Sequence, residues 1–259
     1  MYTWLTRYYG HIIELDRKTW IKKNHIERGV VYRVEPMPPF YKGSSNKISL
    51  PPPKMPRGAD ASKVLLNRRS IRDFADKPLD MEILSSLLHL AFGVTRWERG
   101  VYGYKLYPLR SFPSAGALYP VEIYVSVHMV RGMPQGLYRY IFLDHSLDPL
   151  REGYYGELLA RIALDQEHVA SSAITVIITV LWARSAWKYG SRGYKYALLD
   201  AGFAGENLYI ASGILGLGTC AVGAFYEEEL CDVLGIDCVS EIPVLMMPVG
   251  YPLEIHGQN

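Results

Sequence analysis

The sequence predicts an α+β fold, on three observations. Val121 to Val130 alternates, with Val121, Ile123, Val125 and Val127 set against Glu122, Tyr124, Ser126 and His128, which is strand periodicity. Ile174 to Leu181 is continuous, apolar and rich in β-branched residues, the pattern of a strand buried on both faces. Ala186 to Leu215 is apolar or small nearly all round, which predicts one long helix buried in the middle of the molecule.

The remaining elements follow in chain order. Residues 1–60 read as an arm: an aromatic and basic opening (Trp4, Tyr8, Tyr9, Trp20, Lys22, Lys23), then Pro36 to Pro39 and Pro51 to Pro53. Consecutive prolines lack amide donors and favour extended backbone, so this segment is expected to strap over the body, residues 61–259. Ala61 to Arg69 reads as helical. A second helix should start after Asp80, as N-cap, carry Ile83, Leu84, Leu87, Leu88 and Ala91 on one face, and stop at Gly93. Gly132 to Gly136 links the alternating strand to a second run, Leu137 to Leu143, so a hairpin is expected. Gly216-Leu217-Gly218 should end the long helix, before a strand or turn at Ala221 to Phe225. A short helix, Glu227 to Leu234, and a last strand, Ile242 to Val249, close the chain. Helices and strands alternate too irregularly for a doubly wound sheet.

Composition narrows the function classes. Over 259 residues the chain is 49% hydrophobic and 21% charged, with a net charge of +2. That is a globular balance, too mild for a surface dedicated to nucleic acid or anionic membrane. The opening residues lack the uninterrupted apolar core of a signal peptide, and the longest apolar stretch, Ala173 to Ala183, is too short to span a bilayer as a helix. A soluble cytoplasmic protein is expected. The three cysteines, Cys220, Cys231 and Cys238, match no zinc spacing and read as reduced, buried small hydrophobes. His89, His128 and His168 are isolated, and no metal site is expected.

Three clusters could carry chemistry. Asn67 to Asp73 holds Arg68, Arg69 and Arg72, guanidiniums that repel one another unless an anion or solvent separates them; the alternative is a solvated helix end. Pro113-Ser114-Ala115-Gly116, before the alternating strand, would let a flat ligand approach backbone amides, although the same residues also make an ordinary loop. Gly216 to Phe225 is again small and glycine-rich, but it does not open a helix after a strand as a dinucleotide fingerprint does.

Taken in order, Arg-Arg-Ser-x-Arg from Arg68, Pro-Ser-Ala-Gly-Ala-Leu-Tyr-Pro-x-Glu from Pro113, Tyr-Lys-Tyr-Ala-Leu-Leu-Asp-Ala-Gly from Tyr194, Gly-Leu-Gly-Thr-Cys-Ala-Val-Gly-Ala-Phe from Gly216 and Pro-Val-Gly-Tyr-Pro from Pro248 resemble the FMN-dependent nitroreductase superfamily. More narrowly they resemble its SagB/ThcOx-type dehydrogenase branch, which contains azoline dehydrogenases of peptide natural-product pathways. The resemblance implies a nitroreductase-like fold, a central mixed β-sheet flanked by helices, in an intertwined homodimer with FMN at the subunit interface. It implies that Arg68, Arg69, Ser70 and Arg72 grip the phosphate, ribityl chain and pyrimidine edge. Pro113, Ser114, Ala115 and Gly116 would line the flavin ring from the partner subunit, and Gly223 and Ala224 would turn a backbone amide toward flavin N5. The branch carries a Lys-Tyr pair for proton transfer, matched here to Lys195 and Tyr196, with Asp200 one turn on to hydrogen-bond Tyr196. The alternative for Lys195 is that it snorkels to solvent.

Two departures qualify the match. Ala117 and Tyr119 stand where many nitroreductases carry Asn and Gln, which turns the reading toward the azoline-oxidising branch. The Lys or Arg pair that often holds the phosphate near the family's C-terminus has no counterpart after Pro252, and Arg192 is the expected substitute. The expected activity is oxidation of an azoline-like, other small organic or peptidic substrate by hydride transfer to flavin. An NAD(P)H-dependent nitro or quinone reductase, and a non-catalytic docking subunit of a peptide-modifying complex, are the alternatives.

Overall fold

A computed structural model describes residues 38–56 and 58–253. The aromatic and basic opening, Pro36 and the last six residues lie outside them. Seven strands form one sheet in the order β1 (Ile48–Ser49), β6 (Ser146–Glu152), β5 (Gly136–Ile141), β4 (Val121–Val127), β7 (Ile174–Leu181), β9 (Glu241–Gly250) and β8 (Gly218–Thr219). Neighbouring strands run antiparallel, while parallel bridges join Ser70 to Thr219 and Leu79 to Val130. A separate hairpin pairs β2 (Val94–Arg99) with β3 (Leu106–Arg110).

The six α-helices of the described chain are α1 (Ala61–Asn67), α2 (Met81–Phe92), α3 (Gly156–Ile162), α4 (Ala183–Tyr189), α5 (Arg192–Ile214) and α6 (Glu227–Leu234). Val121, Ile123, Val125 and Val127 of β4 join Val176 and Ile178 of β7 in one apolar core with α2 and α5. On the other face Tyr124, Ile177 and Met246 pack with α3 and α6. The long α5 lies with Ala197, Ala201, Ala204 and Leu208 inward, so its small side chains let the helix lie close to its neighbours.

Most predicted elements are present, with four differences. The helix expected from Ala186 to Leu215 is two, because Gly190 adopts φ 56 and ψ −140, a conformation nearly closed to other residues. The polar positions of β4 are not solvated: every residue of the strand is buried, and Glu122 pairs with Arg184 at 2.8 Å, both side chains withdrawn from solvent. Residues 94–110, to which the sequence pattern assigns no element, form the β2–β3 hairpin. Cys231 and Cys238 are not reduced small hydrophobes but form a disulfide: the left-handed turn at Gly235 after α6 folds the chain back until their Cα atoms are 5.8 Å apart. Cys220 is free and buried, as expected.

The described part of the arm carries a turn at Ser45–Asn46 and the short strand β1. Phe40 and Leu50 are buried, and β1 pairs with β6 at the sheet edge. Phe40 packs edge-on against Phe142, and Arg184 donates to the Pro39 carbonyl at 3.1 Å.

Candidate functional site

Two clusters of the singled-out residues assemble, each against a different stretch of α5. The first forms where the chain leaves α1. Arg68 takes the C-cap position, and Arg69 Nη1 donates to the carbonyls of Leu66 and Arg68, capping the helix end. Ile71 N donates to the Thr219 carbonyl at 2.9 Å, which lays this segment beside the loop after α5. Tyr209 of α5 binds the pieces together. Its ring lies 5.1 Å beneath the Arg68 guanidinium, and its hydroxyl is 3.1 Å from Ser70 Oγ and accepts from Ala221 N at 2.8 Å. One tyrosine thereby joins the arginine cluster to the glycine-rich loop.

Beyond Ala221, Val222 exchanges hydrogen bonds with Met246 and is buried, as is Phe225. These two anchors leave Gly223 and Ala224 exposed as a turn between them. Arg72 is also exposed; burial, and then its positive charge, lower the pKa of His168. Beside Arg68 and Arg69 lies a groove of 380 Å³, whose walls include Lys63, Ser212 and Thr219. Ser212 and Thr219 are each 1% exposed, and neither side-chain hydroxyl has a hydrogen-bond partner.

The second cluster surrounds Pro113 to Gly116. Ser114 Oγ donates to Asp200 at 2.5 Å, Ala115 N donates to the same carboxylate at 3.1 Å, and Tyr119 N donates back to Ser114 Oγ. Burial raises the Asp200 pKa to about 6 against the lowering effect of these hydrogen bonds. The expected Asp200–Tyr196 hydrogen bond is absent, because the carboxylate is turned to the loop instead. Pro113 itself is exposed. Gly116 has φ +62, and any Cβ there would stand 2.5 Å from Tyr189 Oη. Its carbonyl accepts from Tyr102 Oη at 2.6 Å, and Lys188 Nζ donates to that same hydroxyl at 2.9 Å.

Lys195 and Tyr196 are half-buried in the first turns of α5. Tyr196 stacks edge-on against Tyr189, with ring centroids 4.9 Å apart, and the Arg192 guanidinium lies over the Tyr196 ring. Arg192 therefore belongs to this second cluster. At about 1.5 Å per residue it is some 30 Å along α5 from Ser212, so it does not join Arg68 and Arg69 within one subunit. Sequence reasoning missed Lys188, Tyr189 and Tyr102. The first two form another Lys-Tyr pair, a signal visible in the sequence, whereas Tyr102 sits in a stretch with no motif.

Residues 65–251 match the nitroreductase family. The chain belongs to the nitroreductase family. A family relative named as a nitroreductase, from Methanocaldococcus jannaschii, is 41% identical over 191 residues, covering 74% of this chain and 90% of that protein. The microcin B17-processing protein McbC of Escherichia coli is 22% identical over 146 residues, 54% of each chain. Among solved structures, a nitroreductase from Anabaena variabilis superposes with a TM-score of 0.67 at 25% identity, over 80% of this chain and 42% of that one. A chain of the E. coli microcin synthetase McbBCD complex with truncated pro-MccB17 bound superposes with a TM-score of 0.60 at 21% identity, over 93% of this chain and 87% of that one. The chain thus spans about half of the McbC sequence it matches and less than half of the Anabaena protein. The nitroreductase fold, with helices on both faces of the sheet, agrees with the architecture the resemblance implied.

Proposed function

We propose that this nitroreductase-family oxidoreductase is an FMN-dependent, SagB-type dehydrogenase. Its substrate on this reading is azoline-like, another small organic molecule or a peptide. The observation that carries the reading is the joining, through Tyr209, of Arg68 and Ser70 to the displayed turn at Gly223–Ala224. The residues fit a flavin mononucleotide: cations for a phosphate, orphaned hydroxyls at Ser212 and Thr219, and an exposed backbone turn for a flat ring. Bound FMN would supply a two-electron acceptor at N5. Arg68, Arg69, Ser70 and Arg72 would hold the cofactor, and the Gly223–Ala224 backbone would face its reactive edge.

The flavin loop sits elsewhere. Pro113, Ser114, Ala115 and Gly116 are fastened at Asp200, about 14 Å along α5 from Tyr209. A homodimer resolves this separation by letting one subunit's loop cover the other's Arg68 groove. Support comes from the exposed apolar stripe of Leu198, Leu199 and Phe203 on α5. In the dimer Lys195 Nζ or Tyr196 Oη would take the proton from a substrate carbon as its hydride leaves. Lys188 Nζ, hydrogen-bonded to Tyr102, is a third candidate on the same patch. Oxygen or another acceptor would take the electrons onward.

The match to McbC favours a peptidic substrate, and the M. jannaschii relative's name favours the NAD(P)H-dependent nitro or quinone reductase as second reading. The mild net charge gives no support to a nucleic-acid partner. Among the described residues no helix is long and apolar enough to cross a membrane. The decisive experiment is to purify the protein, identify any bound flavin by absorbance and chromatography, and compare anaerobic flavin bleaching by NADH, NADPH and an azoline-containing peptide. Bleaching by the peptide alone supports the dehydrogenase, bleaching by the nicotinamides the reductase, and a colourless protein that takes up no FMN the docking subunit.

A further inference from the structure

The β2–β3 hairpin stands apart from the seven-stranded sheet and so has two outer edges of its own. The β3 edge is closed. Pro108 has no N–H to give, and Arg110 N donates to Tyr119 Oη at 3.0 Å. The same two residues fix the phase of the ladder, because an antiparallel pair turns alternate residues inward and outward. Trp97 lies opposite Pro108 and Arg99 opposite Leu106, so both turn their main-chain N–H and C=O groups away from β3. Among the described residues, neither finds a main-chain partner on that side. The β2 edge is open.

Side chains give that edge a definite chemistry. Opposed residues share a face, and Tyr107, opposite Glu98, is fully buried, so their face is turned inward. The outward face carries Trp97, 45% exposed, and Leu106, 50% exposed, with Arg99 beside both. Arg96 is spent on Glu98 at 2.6 Å, whereas exposed Arg99 and Lys105 pair with no described acid. Unpaired main-chain groups, an aromatic ring and a cation thus line one edge. That combination suits an extended, acidic chain and repels a basic one.

We infer that the β2 edge receives an extended acidic peptide, which adds to the hairpin as a third strand. Main-chain hydrogen bonds to Trp97 and Arg99 hold it, a carboxylate pairs with Arg99, and an apolar side chain covers Trp97 and Leu106. The hairpin also leads such a chain to the second cluster. Tyr102, between the two strands, donates to the Gly116 carbonyl at 2.6 Å and accepts from Lys188 Nζ at 2.9 Å. Tyr107 of β3 donates to the Ala117 carbonyl at 2.6 Å. A strand laid along β2 therefore runs toward the Gly116 loop and the Lys-Tyr patch. The inference rests on the peptide reading of the substrate and narrows it to acidic segments bound in extended form.

The probe is a short, labelled peptide of Thr and Val with one Phe and one Asp at alternate positions. It is titrated against the full-length protein by fluorescence anisotropy. Two further peptides carry N-methyl groups, one on the odd-numbered amides and one on the even. A third strand turns only one set of amides to the protein. One N-methylated peptide should therefore bind at least about tenfold more weakly, and the other like the unmethylated probe. Trp97→Ala should weaken the acidic probe several-fold. Arg99→Glu should do the same, less so in high salt, and should bind a probe with Lys in place of Asp better than the parent does. Both residues are exposed, and the control Arg161→Glu on α3 should change nothing. Equal losses for the two N-methylated peptides overturn the proposal, as does an Arg99→Glu variant with the parent's charge preference, or a parent that binds no probe. A parent dimer that Trp97→Ala dissociates assigns the edge to a second copy instead. Flavin content and bleaching, read on the same samples, keep the two readings apart. A yellow protein that oxidises a peptide without this pairing loses only the edge. Pairing by a protein that takes up no flavin leaves the edge standing and removes the dehydrogenase.

Discussion

Asp200 and Ser114 are joined by a hydrogen bond of 2.5 Å between the middle of α5 and the loop before β4. The carboxyl is 1% exposed, so charging it costs more than the two loop donors return, and its pKa rises to about 6 from the usual 3.8. The sign follows from proton counting. Between about pH 4 and 6 the folded state keeps a proton that the unfolded chain has released, so stability from this group is present below that window and falls as pH rises through it.

Asp200→Asn should remove that dependence. The amide can still accept from Ala115 N and can donate to Ser114 Oγ, so the loop stays fastened. Buried His128 and half-buried His145, both lowered to about 4 mainly by desolvation, pull the parent's profile the other way. The difference between variant and parent is therefore the measurement, by urea denaturation from pH 4 to 7. It should rise in the variant's favour by roughly 1–3 kcal/mol across the window. A difference that stays constant with pH contradicts the raised pKa.

How much of this was legible depended on where the physics is local. Met81–Phe92 keeps its predicted limits because Gly93 stops it, yet Asp80 makes no side-chain cap bond and instead pairs with Arg131. Ile174–Leu181 matches because a strand buried on both faces is apolar without interruption. The β2–β3 hairpin was illegible: Thr95, Arg96 and Arg99 of β2 are exposed, and the buried residues of β3, Tyr107, Pro108 and Arg110, do not alternate with exposed ones. The site divided the same way. Arg68 and Ser70 announce themselves as a cluster, but Tyr209 is one aromatic in a long helix, and only the packing of α5 reveals that it joins two motifs.

The Cys231–Cys238 bridge closes a short loop after α6, and the adjoining Asp237 accepts amide hydrogen bonds from Val239, Ser240 and Glu241. Constraining so short a loop is worth about 2 kcal/mol in the chain-entropy view. Dithiothreitol should lower the parent's unfolding free energy by about that amount. Cys238→Ser should show the same loss and no further response to reductant. Identical stability in both redox states would exclude a structural role for the bridge.

On α5, Leu199 and Phe203 are 53% and 48% exposed, one turn apart on the side away from the sheet. A single subunit leaves them wet, which a stable fold rarely does with large adjoining side chains. The parent should scatter light as a dimer. Leu199→Glu/Phe203→Glu should halve the mass and leave the far-ultraviolet circular dichroism unchanged, because neither side chain supports the subunit's own core. A parent that is monomeric at micromolar concentration would sink the shared flavin site.

The last prediction separates binding from chemistry on the Lys-Tyr patch. Lys195 and Tyr196 lie half-buried on α5, while Lys188 hydrogen-bonds Tyr102, whose hydroxyl holds the Gly116 carbonyl. If Lys195 and Tyr196 move the proton, Lys195→Ala and Tyr196→Phe should stay yellow, dimeric and normally stable. Turnover should nevertheless fall by roughly 10²–10⁴-fold, the range for a lost general acid–base group. Lys188→Met tests the other candidate, and its position predicts a different pattern. Removing a donor to Tyr102 loosens the Gly116 loop, so weaker flavin retention should accompany any loss of rate if Lys188 only positions that loop. A rate loss with full flavin retention would instead transfer the proton-accepting role to Lys188. A Lys195 that only snorkels would leave turnover untouched, and a Tyr196 that only packs against Tyr189 would lower stability before any kinetic effect. Parental rates in both Lys195→Ala and Tyr196→Phe, measured with a verified substrate, would remove those two residues from the chemistry.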